Sequence, residues 1–136
     1  MIVDSNVLID ILNPDNPDAE RVLDVYWRLS AEHSLRFNLV VFAEICSRYV
    51  ELEHAVAALR ELGLEMAELT VEDAFRAGVA FREYRRNGGP RQSILPDFLI
   101  GGHAANRGWP ILTRDPKRFA SYFPEIELID PFEGTK

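Results

Sequence analysis

Four acidic side chains carry the chemistry open to this chain: Asp4, Glu44, Asp97 and Asp115. Asp4 closes the short apolar run Ile2-Val3, and Asp115 lies just past another, Ile111-Leu112-Thr113. Glu44 stands within the otherwise apolar stretch Leu39 to Cys46. There an ionised carboxylate without a partner is costly or shifts its pKa. Asp97 begins a segment that follows the clearest loop of the chain, Asn87 to Ser93. Each carboxylate also has a bland role. Asp115 before Pro116 suits a helix N-cap with proline at the first helical position, and Asp4 before Ser5 and Asn6 suits another cap. Asp97 complements a helix dipole, and Arg48, one turn on, is a ready partner for Glu44. As a set, carboxylates without a histidine or cysteine partner suit hard cations such as Mg²⁺ or Mn²⁺. Such ions activate water and stabilise the attacking and leaving oxygens of a displacement at phosphorus.

The elements that must position these groups follow from periodicity and turn residues. Ile2-Val3 reads as a strand leading directly into the amphipathic segment Val7 to Leu12, which stops at Asn13-Pro14. A helix is expected from Asp18 to about His33, with Val22, Val25, Tyr26 and Leu29 at three- and four-residue intervals. Leu35 to Asn38 reads as a strand, and Leu39 to about Leu62 as helix with room for a break, ending at Gly63. Glu65 to Leu69 is a third strand. Thr70 and Asp73 form a capping box for a helix from Val71 to about Arg86. A helix from Pro96 or Asp97 to Asn106, a strand from Pro110 to Thr113, a short helix opened by Asp115-Pro116 and a strand from Ile126 to Ile129 complete the chain. Strands alternating with helices imply an α/β layered domain on a mainly parallel sheet. In such a sheet functional groups collect at the carboxyl ends of the strands, where Asp4 and Asp115 fall.

The bulk properties set bounds. With 136 residues, no internal repeat and no composition break, the chain reads as one domain spanning residues 1–136. No apolar run approaches the roughly 20 residues needed to cross a bilayer, and the N-terminus shows no secretory signal. A single cysteine, Cys46, excludes an intrachain disulfide and a thiolate zinc site. A cytoplasmic protein with no membrane partner is expected. The net charge of −7 is awkward for a nucleic-acid enzyme, but it is unevenly spread. Glu51 to Asp73 holds seven carboxylates against one arginine, whereas Arg82 to Arg91 holds four arginines and one glutamate. Arg82, Arg85, Arg86, Arg91, Arg114, Lys117 and Arg118 read first as a solvated face; as a set beside the site they are candidates for RNA phosphate contacts.

At these residues the sequence resembles a known family. Met1 to Asp10, with Asp4 and Asn6, looks like the opening of PIN-domain nucleases, particularly VapC-type toxins of toxin–antitoxin pairs. The resemblance continues in Val41-Phe-Ala-Glu44-Ile, Leu95-Pro-Asp97-Phe-Leu-Ile100 and Ile111-Leu-Thr113-Arg-Asp115-Pro-Lys-Arg-Phe119, covering nearly the whole chain in order. It implies a three-layer α/β/α sandwich and a Mg²⁺- or Mn²⁺-dependent endoribonuclease acting on transfer or ribosomal RNA. It also implies a homodimer and inhibition by a cognate antitoxin. The metal ligands and catalytic residues it implies are Asp4, Glu44, Asp97 and Asp115, supported by Asn6 and Thr113. Ser5 stands where the family often has Thr, and Gly101-Gly102 where it has small residues including Ala; two glycines weaken that helix by propensity.

Two other readings compete. One is a phosphatase or phosphotransferase with Asp4 as nucleophile, although such enzymes usually carry a second Asp two residues on, where this chain has Asn6. The other is a non-catalytic PIN-like binding module. His33, His54 and His103 lack zinc-motif spacing and read as structural. Cys46 reads as buried packing, Asp10 as solvent-exposed by default with a secondary role at the site as the alternative, and Tyr26, Trp27, Phe42, Tyr49 and Val50 as mostly core, some of them candidates for a dimer or antitoxin surface.

Overall fold

The computed structural model describes residues 1–90 and 95–133. Its strands are β1 (Ile2–Val3), β2 (Arg36–Phe37), β3 (Glu65–Met66), β4 (Ile111–Leu112) and β5 (Leu128–Ile129). Its helices are α1 (Ser5–Leu12), α2 (Ala19–Ser30), α3 (Leu39–Cys46), α4 (Leu52–Glu61), α5 (Val71–Arg86), α6 (Leu95–Arg107) and α7 (Lys117–Ala120). The strands form one sheet in the order β3-β2-β1-β4-β5, and every neighbouring pair is parallel. The central strands are wholly apolar and covered on both faces: Ile2, Val3, Ile111 and Leu112 are all fully buried.

The topology fixes where a site can form. From β1 the chain winds outward through β2 to β3, then crosses back beyond β1 to β4 and continues to β5. Right-handed crossovers therefore put α1–α4 on one face and α5–α7 on the other. The winding direction reverses between β1 and β4, which are neighbours in register at Ile2–Ile111 and Val3–Leu112. That reversal opens a crevice at the carboxyl ends of these two strands.

Several boundaries differ from expectation. The stretch from Leu39 to Leu62 takes the break that the sequence left room for and forms two helices. In one continuous helix Ala55 would be rotated about 80° from Ile45, and the break at residues 47–51 lets both face the core. α2 ends three residues early, where Ala31, Glu32 and His33 close tight turns onto Arg28 and Leu29. β3 is an exposed two-residue edge strand. Tyr26 is fully buried, its hydroxyl donating to the Leu62 carbonyl oxygen at 2.6 Å, but Trp27 is 45% and Val50 98% exposed. Cys46 is only half-buried. Arg91 and the Gln92-Ser93 end of the expected loop lie outside the described residues. No helix among the described residues is long and apolar enough to cross a membrane.

The glycine pair that weakens α6 by propensity is what lets it pack. A Cβ on Gly102 would lie 2.5 Å from the Ala77 backbone nitrogen and 2.7 Å from its Cα, on α5. Gly102→Ala in an exposed helix would stabilise by up to about 1 kcal/mol. Here overpacking outweighs that gain, and a net loss of about 1–3 kcal/mol is expected in urea unfolding.

Candidate active site

Asp4 is the residue that turns β1 into α1. Its backbone is extended, and its Oδ1 accepts a hydrogen bond from the Ser5 backbone N–H at 2.8 Å, capping the helix. Its other oxygen, Oδ2, accepts from the Thr113 hydroxyl at 2.8 Å, at the end of β4. The two strands on either side of the crevice are thus tied through one buried carboxylate, which is 1% exposed. The capping role foreseen for Asp4 is real, and it leaves Oδ2 facing the crevice.

Asn6 and Thr113 hold the β4 side. The Asn6 side-chain carbonyl accepts from the Arg114 backbone N–H at 3.2 Å, and Thr113 Oγ1 accepts from the Asp115 backbone N–H at 3.0 Å. The Asn6 amide also donates to Thr113 Oγ1 at 3.4 Å. These bonds fix the turn that presents Asp115. The N-cap of α7 is Pro116 and not Asp115, so the expected Asp115 cap does not form; the half-exposed Asp115 side chain holds its Oδ2 3.8 Å from Arg118 Nε.

Glu44 enters from α3. That helix is capped by Asn38, whose Oδ1 accepts from the Val41 N–H at 3.0 Å. Glu44 Oε1 accepts from the Ser5 hydroxyl at 3.1 Å, so Ser5 joins Glu44 to Asp4 through its side chain and its backbone. The recorded partner is therefore Ser5, not the exposed Arg48. Burial raises the Glu44 carboxyl above its ordinary value, Asp4 and Asp97 add to this by repulsion, and Ser5 and Arg118 work against it. Asp97, in the first turn of α6, is raised by burial as well, with Asp4 and Asp115 adding repulsion and Arg118 opposing it.

Arg118 was expected on a solvated face or, with the other cations beside the site, at RNA phosphates. It instead reaches into the carboxylates from α7: one terminal nitrogen bonds Asp4 Oδ2, and the other bonds Asp97 Oδ1 at 2.9 Å. Its distance of three residues from Asp115 is the sequence signal that could have placed it there. Four distant segments of chain thus bring acidic groups to one crevice, and the cation among them is a guanidinium. The donors are all oxygens, which fits a hard dication in kind. Among the described residues, however, no three such side chains already stand around one point as an ion-holding group.

The family model for the PIN domain matches residues 1–122. The chain belongs to the PIN domain family. Solved structures share the fold at low identity. VapBC2 from Rickettsia felis, solved bound to a DNA fragment from its promoter, superposes with a TM-score of 0.72 at 19% identity, covering 95% of this chain and 96% of that one. VapBC-1 from nontypeable Haemophilus influenzae gives 0.72 at 15% identity, covering 97% and 98%. A toxin–antitoxin complex from Klebsiella pneumoniae gives 0.68 at 21% identity, also covering 97% and 98%. Comparison with curated protein sequences gives no match.

In this PIN domain the remaining candidates scatter. Arg82, Arg85 and Arg86 lie on the exposed C-terminal half of α5, where Arg85 donates to the Gly89 carbonyl oxygen at 2.7 Å. Lys117 is exposed at the start of α7. Arg114 pairs with Asp10 at 2.8 Å, so Asp10, with a side chain only 12% exposed, is not the free surface residue its position suggested. His103 is fully buried. Its Nδ1 meets the Asn38 side-chain amide at 3.0 Å and its Nε2 faces Asp73 at 3.5 Å. Burial lowers its pKa, the Asp73 charge opposes that, and Arg107 reinforces it. Neutral His103 thus links α6 to the cap of the helix that carries Glu44.

Proposed function

We propose that this PIN domain is a metal-dependent endoribonuclease, the toxin of a toxin–antitoxin pair. One observation carries the catalytic reading: Asp4, Glu44, Asp97 and Asp115 come from four separate segments to the crevice between β1 and β4, with no soft ligand among them. Asp4, Asp97 and Asp115 would hold Mg²⁺ or Mn²⁺, with Glu44 completing or adjoining the site. When bound, the ion would polarise the scissile phosphate, make water a nucleophile and neutralise the leaving oxygen.

The chain's own residues supply the positioning. Ser5 and Thr113 lock both Asp4 oxygens, so its carboxylate is held in place before substrate arrives. Glu44, raised by burial and by its acidic neighbours, is the carboxylate suited to accept the proton that attacking water loses. The phosphodiester is hydrolysed directly, without an enzyme-bound intermediate. Arg114 and Lys117, close to Asp115 in the chain, and Arg82, Arg85, Arg86 and Arg91 are the proposed contacts to RNA phosphates.

A nucleophilic Asp4 is disfavoured by its setting. The residue two on, where such enzymes usually carry a second Asp, is Asn6, spent on holding Thr113 and Arg114. The toxin reading rests on the family and on fold neighbours that are named as toxin–antitoxin complexes. A transfer or ribosomal RNA substrate, a homodimer and a cognate antitoxin follow from the same kinship.

Cleavage of a mixed transfer and ribosomal RNA pool by purified protein tests the enzyme. It is expected to need added Mg²⁺ or Mn²⁺, to stop in EDTA and to resume when metal is restored. Metal uptake should strengthen as pH rises and Glu44 and Asp97 ionise, since in the metal-free protein both titrate above the ordinary carboxylate values of 4.5 and 3.8. EDTA-resistant cleavage would contradict the metal.

A further inference from the structure

We propose that Arg118 is an internal stand-in for the metal ion: its guanidinium holds the carboxylate cluster together in the metal-free protein, and a divalent cation must displace it to bind. The inference rests on the metal-dependent reading above and concerns how that site loads.

The geometry is specific. Arg118 bonds Asp4 Oδ2 and Asp97 Oδ1, and its Nε lies 3.8 Å from Asp115 Oδ2. Three of the four acidic residues thus turn an oxygen toward one positive group. A small dication needs carboxylate oxygens at about 2.0–2.1 Å. It would draw on the oxygens that the guanidinium now spans, so the two cations compete for the same donors. Without a cation, the like charges on buried Asp4 and half-buried Glu44 and Asp97 would repel.

The contact is also built to give way. Arg118 Nε is buried and has no hydrogen-bond partner among the described residues, so the fork is only partly satisfied. Its side chain is 28% exposed and sits on the four-residue helix α7, leaving it a route to solvent. A released guanidinium would stand at the rim of the crevice, matched in shape and charge to a phosphate of the incoming RNA. Metal arrival and substrate capture would then be coupled through one side chain.

The test uses the full chain stripped of metal, with Mn²⁺ as the titrant in isothermal calorimetry. Arg118→Met keeps the apolar stem and removes the charge. It is expected to bind Mn²⁺ roughly tenfold or more tightly than the parent, because no charge-assisted bonds need breaking. It should also melt lower in EDTA, with the deficit closing at saturating Mn²⁺. Equal or weaker Mn²⁺ binding by Arg118→Met, with the parent binding normally, overturns the proposal and leaves the metal site standing. No binding by either protein overturns both. Should that variant fail to fold, nitrogen-15 NMR of the parent decides: the Arg118 Nε–H resonance is expected to shift and lose solvent protection on adding Mg²⁺. An unmoved resonance under saturating Mg²⁺ overturns the proposal.

Discussion

Asp97→Asn is expected to lower RNA cleavage by about a hundredfold or more, while the metal-free protein stays folded. The substitution keeps the shape of the side chain and its ability to accept from Arg118, now 2.9 Å away, but removes the charge. Stability should not fall. Burial, with Asp4 and Asp115 adding repulsion, already raises the Asp97 carboxyl, so its ionisation opposes folding. For such a group stability declines as pH rises from the ordinary value of 3.8 through the raised folded value, and the asparagine variant lacks that decline. In EDTA near neutral pH it should therefore melt no lower than the parent. Thermal unfolding beside a cleavage assay separates the two effects, and retention of parental cleavage would remove Asp97 from the site. Asp4→Asn should lose as much activity but is less clean, because an amide NH₂ must then face either Ser5 N–H or the Thr113 and Arg118 donors.

The largest stability loss is expected away from the crevice, at Asp73. Its carboxylate is fully buried and accepts from Asn106 at 2.8 Å, from Arg107 Nε at 3.0 Å and from the Thr70 backbone N–H at 2.8 Å. Burial alone would raise its carboxyl, but Arg107, Asn106 and Thr70 together hold it well below the usual range. Asp73→Ala removes at once the acceptor of the Asn106 amide, that of the Arg107 guanidinium (both exposed residues) and the cap of α5. A loss of about 2–4 kcal/mol is expected from the cap and the charge-assisted hydrogen bonds, a large share of the 5–15 kcal/mol typical of a domain. The folded pKa is depressed, so the contribution is complete above the ordinary value of 3.8 and is lost as pH falls below it. Urea unfolding at neutral and acid pH should show the gap between parent and variant shrinking in acid. A pH-independent gap would mean that the loss is packing, not charge.

The sequence exposes these two residues to different degrees. Asp4 and Asp115 could be placed because strand ends in a parallel sheet are read from short apolar runs, and both sit where β1 and β4 end. Glu44 announced itself by an apolar setting. Asp97 could not be derived in this way, since it lies in the first turn of a helix and reaches the crevice only through the docking of α6; family resemblance supplied it. Arg118 was legible as a cation but not as a partner of Asp4, because 114 residues separate them.

The same limit applies to the fold. Thr70 and Asp73 were correctly read as a capping box, a local pattern, and the structure has both of its bonds. That Asp73 also gathers Arg107, Asn106 and His103 depends on how closely α5 meets α6, which Gly102 permits and periodicity does not reveal. Trp27 and Val50, read among residues that are mostly core with some for a dimer or antitoxin surface, are both exposed; periodicity does not separate the two fates.

Crystals grown metal-free, soaked in Mn²⁺ and measured for anomalous scattering test the central claim most directly. The predicted result is an anomalous peak about 2.1 Å from carboxylate oxygens of Asp4 and Asp97, in the crevice between β1 and β4. A Mn²⁺ peak only at other positions, or none there at saturating Mn²⁺, would contradict it.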